Sequence, residues 1–217
     1  MDDRLTDVEA RVLGSLIEKE MTTPEYYPLS LNALMHACNQ SSNREPIVQY
    51  DEATVGDAVE SLRKRALVRA VQQSGSRVMK YRHLLSETMA LDARPAALLG
   101  VLLLRGPQTL AELRTRASRL TTFESLEEVE SVINDLGSRS PSSLVAKLPR
   151  RAGQKEARYA HLLSGDVTVD TSEPMVAAAA RPAADERIAA LEVGMQELRN
   201  EVADLRHQLE AFRKQFE

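Results

Sequence analysis

One phrase of seven residues is written almost twice in this chain, as KYRHLLS at 80–86 and RYAHLLS at 158–164. Further matches precede it in the same order, and a repeat of that length dictates the architecture before any single element does. VLGSLI (12–17) corresponds to LLGVLL (98–103), and SLNAL (30–34) to TLAEL (109–113). The offset falls from 86 to 79 between those two pairs, so the first copy carries about seven extra residues. The stretch MTTPEYYPL, with its two prolines, accommodates them as a loop.

Within each copy the periodicity is helical three times. Val12, Leu13, Leu16 and Ile17 share one face, and Thr6 with Glu9 has capping-box spacing. Ser30 and Thr109 are N-caps of the second helices, Thr109 with Glu112 three residues on. In the third helices, Val55, Val59 and Leu62 match Val129, Ile133 and Leu136, and Ser125 with Glu128 repeats the capping-box spacing. A strand, a Gly-containing turn and a strand follow, with turns near 74–76 and 152–155. Helix, helix, helix, hairpin is the order of a winged helix. The expected fold is α+β, mainly helical with small β-hairpins. It comprises two tandem winged-helix domains, 1–86 and 87–165. The repeated phrase is the last wing strand of each, which gives Tyr81, Tyr159, His83 and His161 packing roles.

The remainder changes character. Residues 166–184, rich in Ala, Pro and small polar residues, read as a flexible linker. From 185 to 217, Ile188, Leu191, Met195, Leu198, Val202, Leu205, Leu209, Phe212 and Phe216 alternate spacings of three and four. That is the seam of a coiled-coil helix. In a parallel dimer, Arg187 would face Glu192 and Glu201 would face Arg206, with no like-charged pair. The expected assembly is a homodimer through this helix.

The stretch LTDVEARVLGSLIEKEMTTPEYYPLSLNALMHACNQSSNREP (5–46), with VLLLRGPQTLAELRTR (101–116), resembles the YceH family of bacterial proteins. The resemblance covers roughly residues 4–165 and implies two winged-helix domains in tandem. It implies no defined activity.

Chemistry has little to work with. The sequence has no G-x-S-x-G elbow, P-loop or dinucleotide fingerprint. Its single cysteine, Cys38, lies two residues from His36, a spacing that does not bring side chains together on a helix. Cys38 reads as a small buried residue, and one cysteine suits a reducing compartment. No catalytic residue, metal or cofactor is expected. MDDRLTDVEA starts acidic without an apolar core, so no signal peptide is expected. The longest apolar run, PAALLGVLLL (95–104), is too short to span a bilayer. The expectation is therefore a cytoplasmic protein with no membrane contact.

The fold poses the question of DNA, and charge answers it both ways. Net charge is −4. It divides as 11 basic and 12 acidic residues in 1–86, 11 and 9 in 87–165, and 6 and 11 in the tail. The outward face of the first third helix carries Ala53, Asp57, Glu60, Ser61 and Lys64. That of the second carries Glu127, Ser131, Asn134 and Ser138, flanked by Glu128 and Asp135. Carboxylates there oppose phosphate binding. Two features favour it. Asn39, Gln40, Asn43 and Arg44 in the turn before the third helix are base- and phosphate-bonding types, and equally the types that satisfy a turn's own backbone as an internal network. Arg77, Lys80 and Arg82 mark the first wing; Lys147, Arg150, Arg151, Lys155 and Arg158 mark the second. Double-stranded DNA is the first expected partner. A protein docked on the acidic third-helix face is the second, with the chain then serving as a scaffold.

Overall fold

The computed structural model describes residues 4–72, 78–150, 154 and 156–165. Both hairpin tips, the linker at 166–184 and the coiled-coil seam at 185–217 lie outside the described residues. Met1–Val169 forms one compact unit.

The first helix, α1 (Asp7–Thr22), begins where its sequence says it should. Thr6 Oγ1 accepts from the Glu9 N–H at 3.2 Å, and Glu9 Oε2 accepts from the Thr6 N–H at 2.7 Å. This reciprocal box satisfies two of the amides that every helix start leaves unpaired. A 3-10 turn (Pro24–Tyr26) and a two-residue strand, β1 (Leu29–Ser30), occupy the insertion read as a loop. Then come α2 (Leu31–Cys38), capped by Ser30, and α3 (Glu52–Lys64), capped by Asp51. A hairpin of β2 (Val68–Gln72) and β3 (Met79–His83) completes the first half.

The second half repeats that order with α5 (Ala93–Arg105), α6 (Leu110–Ala117), α7 (Leu126–Gly137), β4 (Val145–Lys147) and β5 (Tyr159–His161). Thr109 and Glu112 close a second reciprocal capping box. Ser125 and Glu128 do not. Ser125 accepts from the Glu128 N–H, but the Glu128 carboxylate accepts from the Glu124 N–H and pairs with Arg94.

Strand pairing matches between the halves at residue level. Leu29 pairs with Tyr81, and the equivalent Gln108 bridges to Tyr159. Val68 pairs with His83 as Val145 pairs with His161. The Leu84 N–H donates to the Leu67 carbonyl at 2.7 Å, and Leu162 to Leu144 at 2.8 Å. The repeated phrase therefore contains the last strand of each hairpin, but the strand ends at His83 in one copy and His161 in the other, and LLS lies beyond it. After His83 the chain turns into a short helix, α4 (Leu85–Met89), with Leu85 fully buried, where the sequence suggested continuing strand.

The core is centred on α1 and α5, the first helices of the two repeats. Glu9 to Glu18 are all buried in α1, and Ala96 to Leu104 in α5. A helix buried all round must lie between other elements, which explains why the 95–104 run is almost wholly apolar. Each fully buried leucine, such as Leu98, Leu99 or Leu102, contributes about 1.5–3 kcal/mol. Among the described residues no helix is long and apolar enough to cross a membrane.

Candidate nucleic-acid interface

The turn before α3 contains four of the candidate DNA-contacting residues; Arg44 is buried and the other three are half-buried. Arg44 is 5% exposed. Its Nη2 donates to Glu18 Oε2 at 2.5 Å, its Nη1 to Glu18 Oε1 at 3.1 Å, and its Nε and Nη2 to the Ala37 carbonyl at 3.0 and 2.8 Å. Gln40 Oε1 accepts from Arg44 at 3.2 Å. Asn39 donates to the Tyr50 carbonyl and accepts from the Tyr50 N–H, at 2.7 and 2.8 Å, as a backbone-mimicking amide would. Asn43, at φ 61°, accepts from Arg105 of α5 at 2.5 Å. The Glu45 N–H also reaches the second half, donating to the Leu104 carbonyl at 2.9 Å. Asn39, Gln40, Asn43 and Arg44 all take part in hydrogen bonds within the protein, the internal turn network that is the alternative to nucleic-acid contact. Arg44 ties the turn to α1, Asn43 ties it to α5, and Asn39 ties it to the residue before the α3 cap.

The first hairpin is different. In an antiparallel pair, residues directly opposite share a face and alternate residues change face. Arg69 lies opposite Arg82, and Val71 opposite Lys80. Val68 lies opposite His83, both buried, which fixes the other face as the core side. Arg69, Lys80 and Arg82 therefore project from the outer face. Arg82 is held by Glu87, while among the described residues no ion pair holds Arg69 or Lys80. Arg77 lies outside the described residues. Beside this face a groove of about 440 Å³ has Lys64, Arg69 and the Glu60–Arg63 pair among its lining residues.

Sequence reading by motif missed the continuity of this surface. Residues 61–83 hold seven Lys or Arg and no Asp or Glu. The signal was a charge run crossing an element boundary, from the end of α3 into the hairpin. Inspecting the helix and the wing separately hides it.

The second hairpin is more committed to its own half. Lys147 Nζ sits 5.7 Å from the centre of the Tyr159 ring. Arg158 donates to the Pro107 carbonyl at 2.8 Å and pairs with Glu112 at 3.3 Å. Arg150 is exposed; Arg151 and Lys155 lie outside the described residues. On α7, Glu127, Glu130, Asn134 and Asp135 are exposed around buried Val129, Ile133 and Leu136, as the helical period requires.

The two repeated histidines occupy equivalent strand positions in unlike surroundings. His83 Nε2 lies 2.8 Å from Glu20 Oε2, and this bond is the main cause holding the Glu20 carboxyl below its ordinary range. The His83 backbone N–H donates to the Tyr27 hydroxyl at 2.8 Å. His161 is pushed down to about 4 by burial, with only Asp7 pulling the other way. An imidazole in the unfolded chain titrates near about 6.5. The unfolded state therefore binds more protons between those values. His161's contribution is complete above about pH 6.5 and is lost as pH falls toward 4, by up to about 3 kcal/mol. Urea unfolding at pH 7 and pH 5 should show wild type losing stability and His161→Gln losing much less. Equal losses would assign the acid sensitivity elsewhere.

A family profile described as "Protein of unknown function, DUF480" matches residues 5–154, which includes both stretches that resemble the YceH family. A UPF0502 protein of Pelobacter propionicus is 52% identical over 100% of both chains. One from Geobacter sulfurreducens is 49% identical, again over 100% of both. One from Opitutus terrae is 52% identical over 78% of this chain and 74% of its own. With the profile covering most of the sequence and relatives this similar end to end, the chain belongs to the DUF480 family of UPF0502 proteins.

Proposed function

We propose that the chain is a non-enzymatic, cytoplasmic regulatory protein of two tandem winged-helix domains. It dimerises through its C-terminal coiled coil and contacts the phosphates of double-stranded DNA. One observation carries the reading: the outer face of the first hairpin and the adjoining end of α3 present Lys64, Arg69, Lys80 and Arg82, within 23 residues that include no carboxylate. Such a surface tracks a backbone without reading bases. Affinity is then set by the number of phosphates neutralised and falls steeply with salt. Dimerisation would place two such faces on one duplex and raise avidity without new contacts.

The experiment is fluorescence anisotropy of a labelled generic duplex, titrated with full-length protein at several salt concentrations. With Arg82 held by Glu87, the other three cations give three phosphate contacts per protomer and a log–log salt slope of about −3, and Arg69→Glu with Lys80→Glu should reduce it by about 2. Retained affinity and slope in that double variant would remove the first wing from the interface. No binding at low salt would remove DNA altogether. The second reading, a partner protein docked on α7, has its own support: Leu126 is 37% exposed beside the exposed carboxylates Glu127 and Glu130.

A further inference from the structure

The two halves of the compact unit share a cavity of about 550 Å³, within the range of small-molecule sites. From the first half come Asp7 and Arg11 of α1 and the segment 45–50, with Glu45 and Tyr50. From the second come Leu102 and Leu103 of α5, and His161 with Ser164 beyond β5.

Arg11 is the unusual member. It is 4% exposed, and its guanidinium donates to the Cys38 carbonyl at 3.0 Å and the Pro46 carbonyl at 2.6 Å. Those are neutral acceptors, and among the described residues no carboxylate pairs with it. Arg44, equally buried, has Glu18. Burying a guanidinium without a counter-charge costs several kcal/mol, and two carbonyls use only part of its five N–H donors. Two more polar atoms of the lining, His161 Nδ1 and Ser164 Oγ, are buried without a hydrogen-bond partner. Unsatisfied groups of this kind are uncommon in a native interior, and here they belong to residues that line one cavity.

Charge narrows the ligand class. The charged lining residues are one buried cation, Arg11, and two exposed carboxylates, Asp7 and Glu45. A phosphate dianion would meet net repulsion at such a mouth. A molecule with charges of both signs would meet a complement for each.

We propose that this cavity binds a small amphoteric molecule with an apolar body, the chemistry of an apolar amino acid or short peptide. Its carboxylate sits on Arg11, its ammonium lies toward Asp7 and Glu45, and its side chain packs on Leu102 and Leu103. His161 and Ser164 supply neutral hydrogen bonds. The assignment does not rest on DNA contact, and a failure of the anisotropy experiment leaves it intact.

The test is thermal unfolding of the full chain with L-leucine, L-leucyl-L-leucine, N-acetyl-L-leucine and L-leucinamide, each at millimolar concentration. A ligand that binds only the folded state raises Tm. Leucine or the dipeptide should raise it by several degrees, N-acetyl-leucine by less, and leucinamide not at all. Arg11→Gln should abolish the shift. Because Arg11 also holds two carbonyls, Ser164→Ala and Asp7→Asn are run beside it, and both leave those bonds in place. Ser164→Ala should shrink the leucine shift, and Asp7→Asn should shrink it while sparing that of N-acetyl-leucine. Absence of a shift with all four probes overturns the proposal. So does a leucinamide shift equal to that of leucine, or shifts unchanged in every variant.

Discussion

Glu18→Ala should destabilise the protein by about 3–5 kcal/mol, because it strips the counter-charge from a buried guanidinium. The Arg44 side chain is 0% exposed and Glu18 2%. Burial pushes Arg44 down to about 10, which still leaves the guanidinium charged at neutral pH and in need of a counter-charge. A second arginine, Arg119 from the loop after α6, also reaches Glu18. Its side chain is 42% exposed, and water would solvate it if the carboxylate were gone. Arg119→Ala should therefore cost under about 1 kcal/mol, as surface pairs do. Urea unfolding followed by circular dichroism measures both. Total stability of a domain is about 5–15 kcal/mol, so the Glu18 variant should show a much lower midpoint and could be unfolded at 37 °C. Similar small losses for both variants would mean the buried pair is solvated in solution. The consequence reaches function, because Glu18 links the first half's turn to a loop of the second and so fixes how the two hairpins are presented.

Legibility in the sequence followed the range of the interactions. Local chemistry was readable: Thr6 with Glu9 and Thr109 with Glu112 form the boxes their spacing announces, and Val55, Val59 and Leu62 face inward at the helical period. The repeat carried the strand register too, since equivalent residues pair equivalently in both halves. Arg44 failed as a surface residue because an arginine in a polar turn looks solvent-facing until its carboxylate, 26 residues away in sequence, is known. Arg11 escaped notice for the same reason. Nothing in VEARVLG shows that the arginine is buried among carbonyls and lines a cavity shared with the other half. The capping box at Ser125 failed because the Glu128 carboxylate accepts from the Glu124 N–H and pairs with Arg94 instead. Side chains with long reach are settled by tertiary contacts, and those a single sequence does not display.

Gly14 and Gly100 hold equivalent places in VLGSLI and LLGVLL, and both should resist even a methyl group. A Cβ on Gly14 would stand 2.9 Å from Leu104 Cγ and 3.0 Å from Leu103 Cβ, across the contact between α1 and α5. A Cβ on Gly100 would stand 2.9 Å from Ile17 Cγ2, back across the same contact. Ile17 has little rotamer freedom in a helix and Leu103 Cβ is anchored to the backbone, so the helices themselves must move apart. Alanine gains up to about 1 kcal/mol over glycine in helix propensity, whereas overpacking costs about 1–3 kcal/mol. Gly14→Ala should be net destabilising, and Gly14→Val should cost about 3 kcal/mol or more. Gly56 supplies the opposite case. It is also helical, but its Cβ would meet only Leu31 Cδ2 at 3.7 Å, an ordinary contact. Gly56→Ala should therefore be neutral or stabilising, by up to about 1 kcal/mol. Urea midpoints for the three alanine variants decide the matter: Gly56→Ala at or above wild type, the other two below it. If all three rise together, α1 and α5 separate at little cost, and the close approach of the two repeats is not what holds the halves in place.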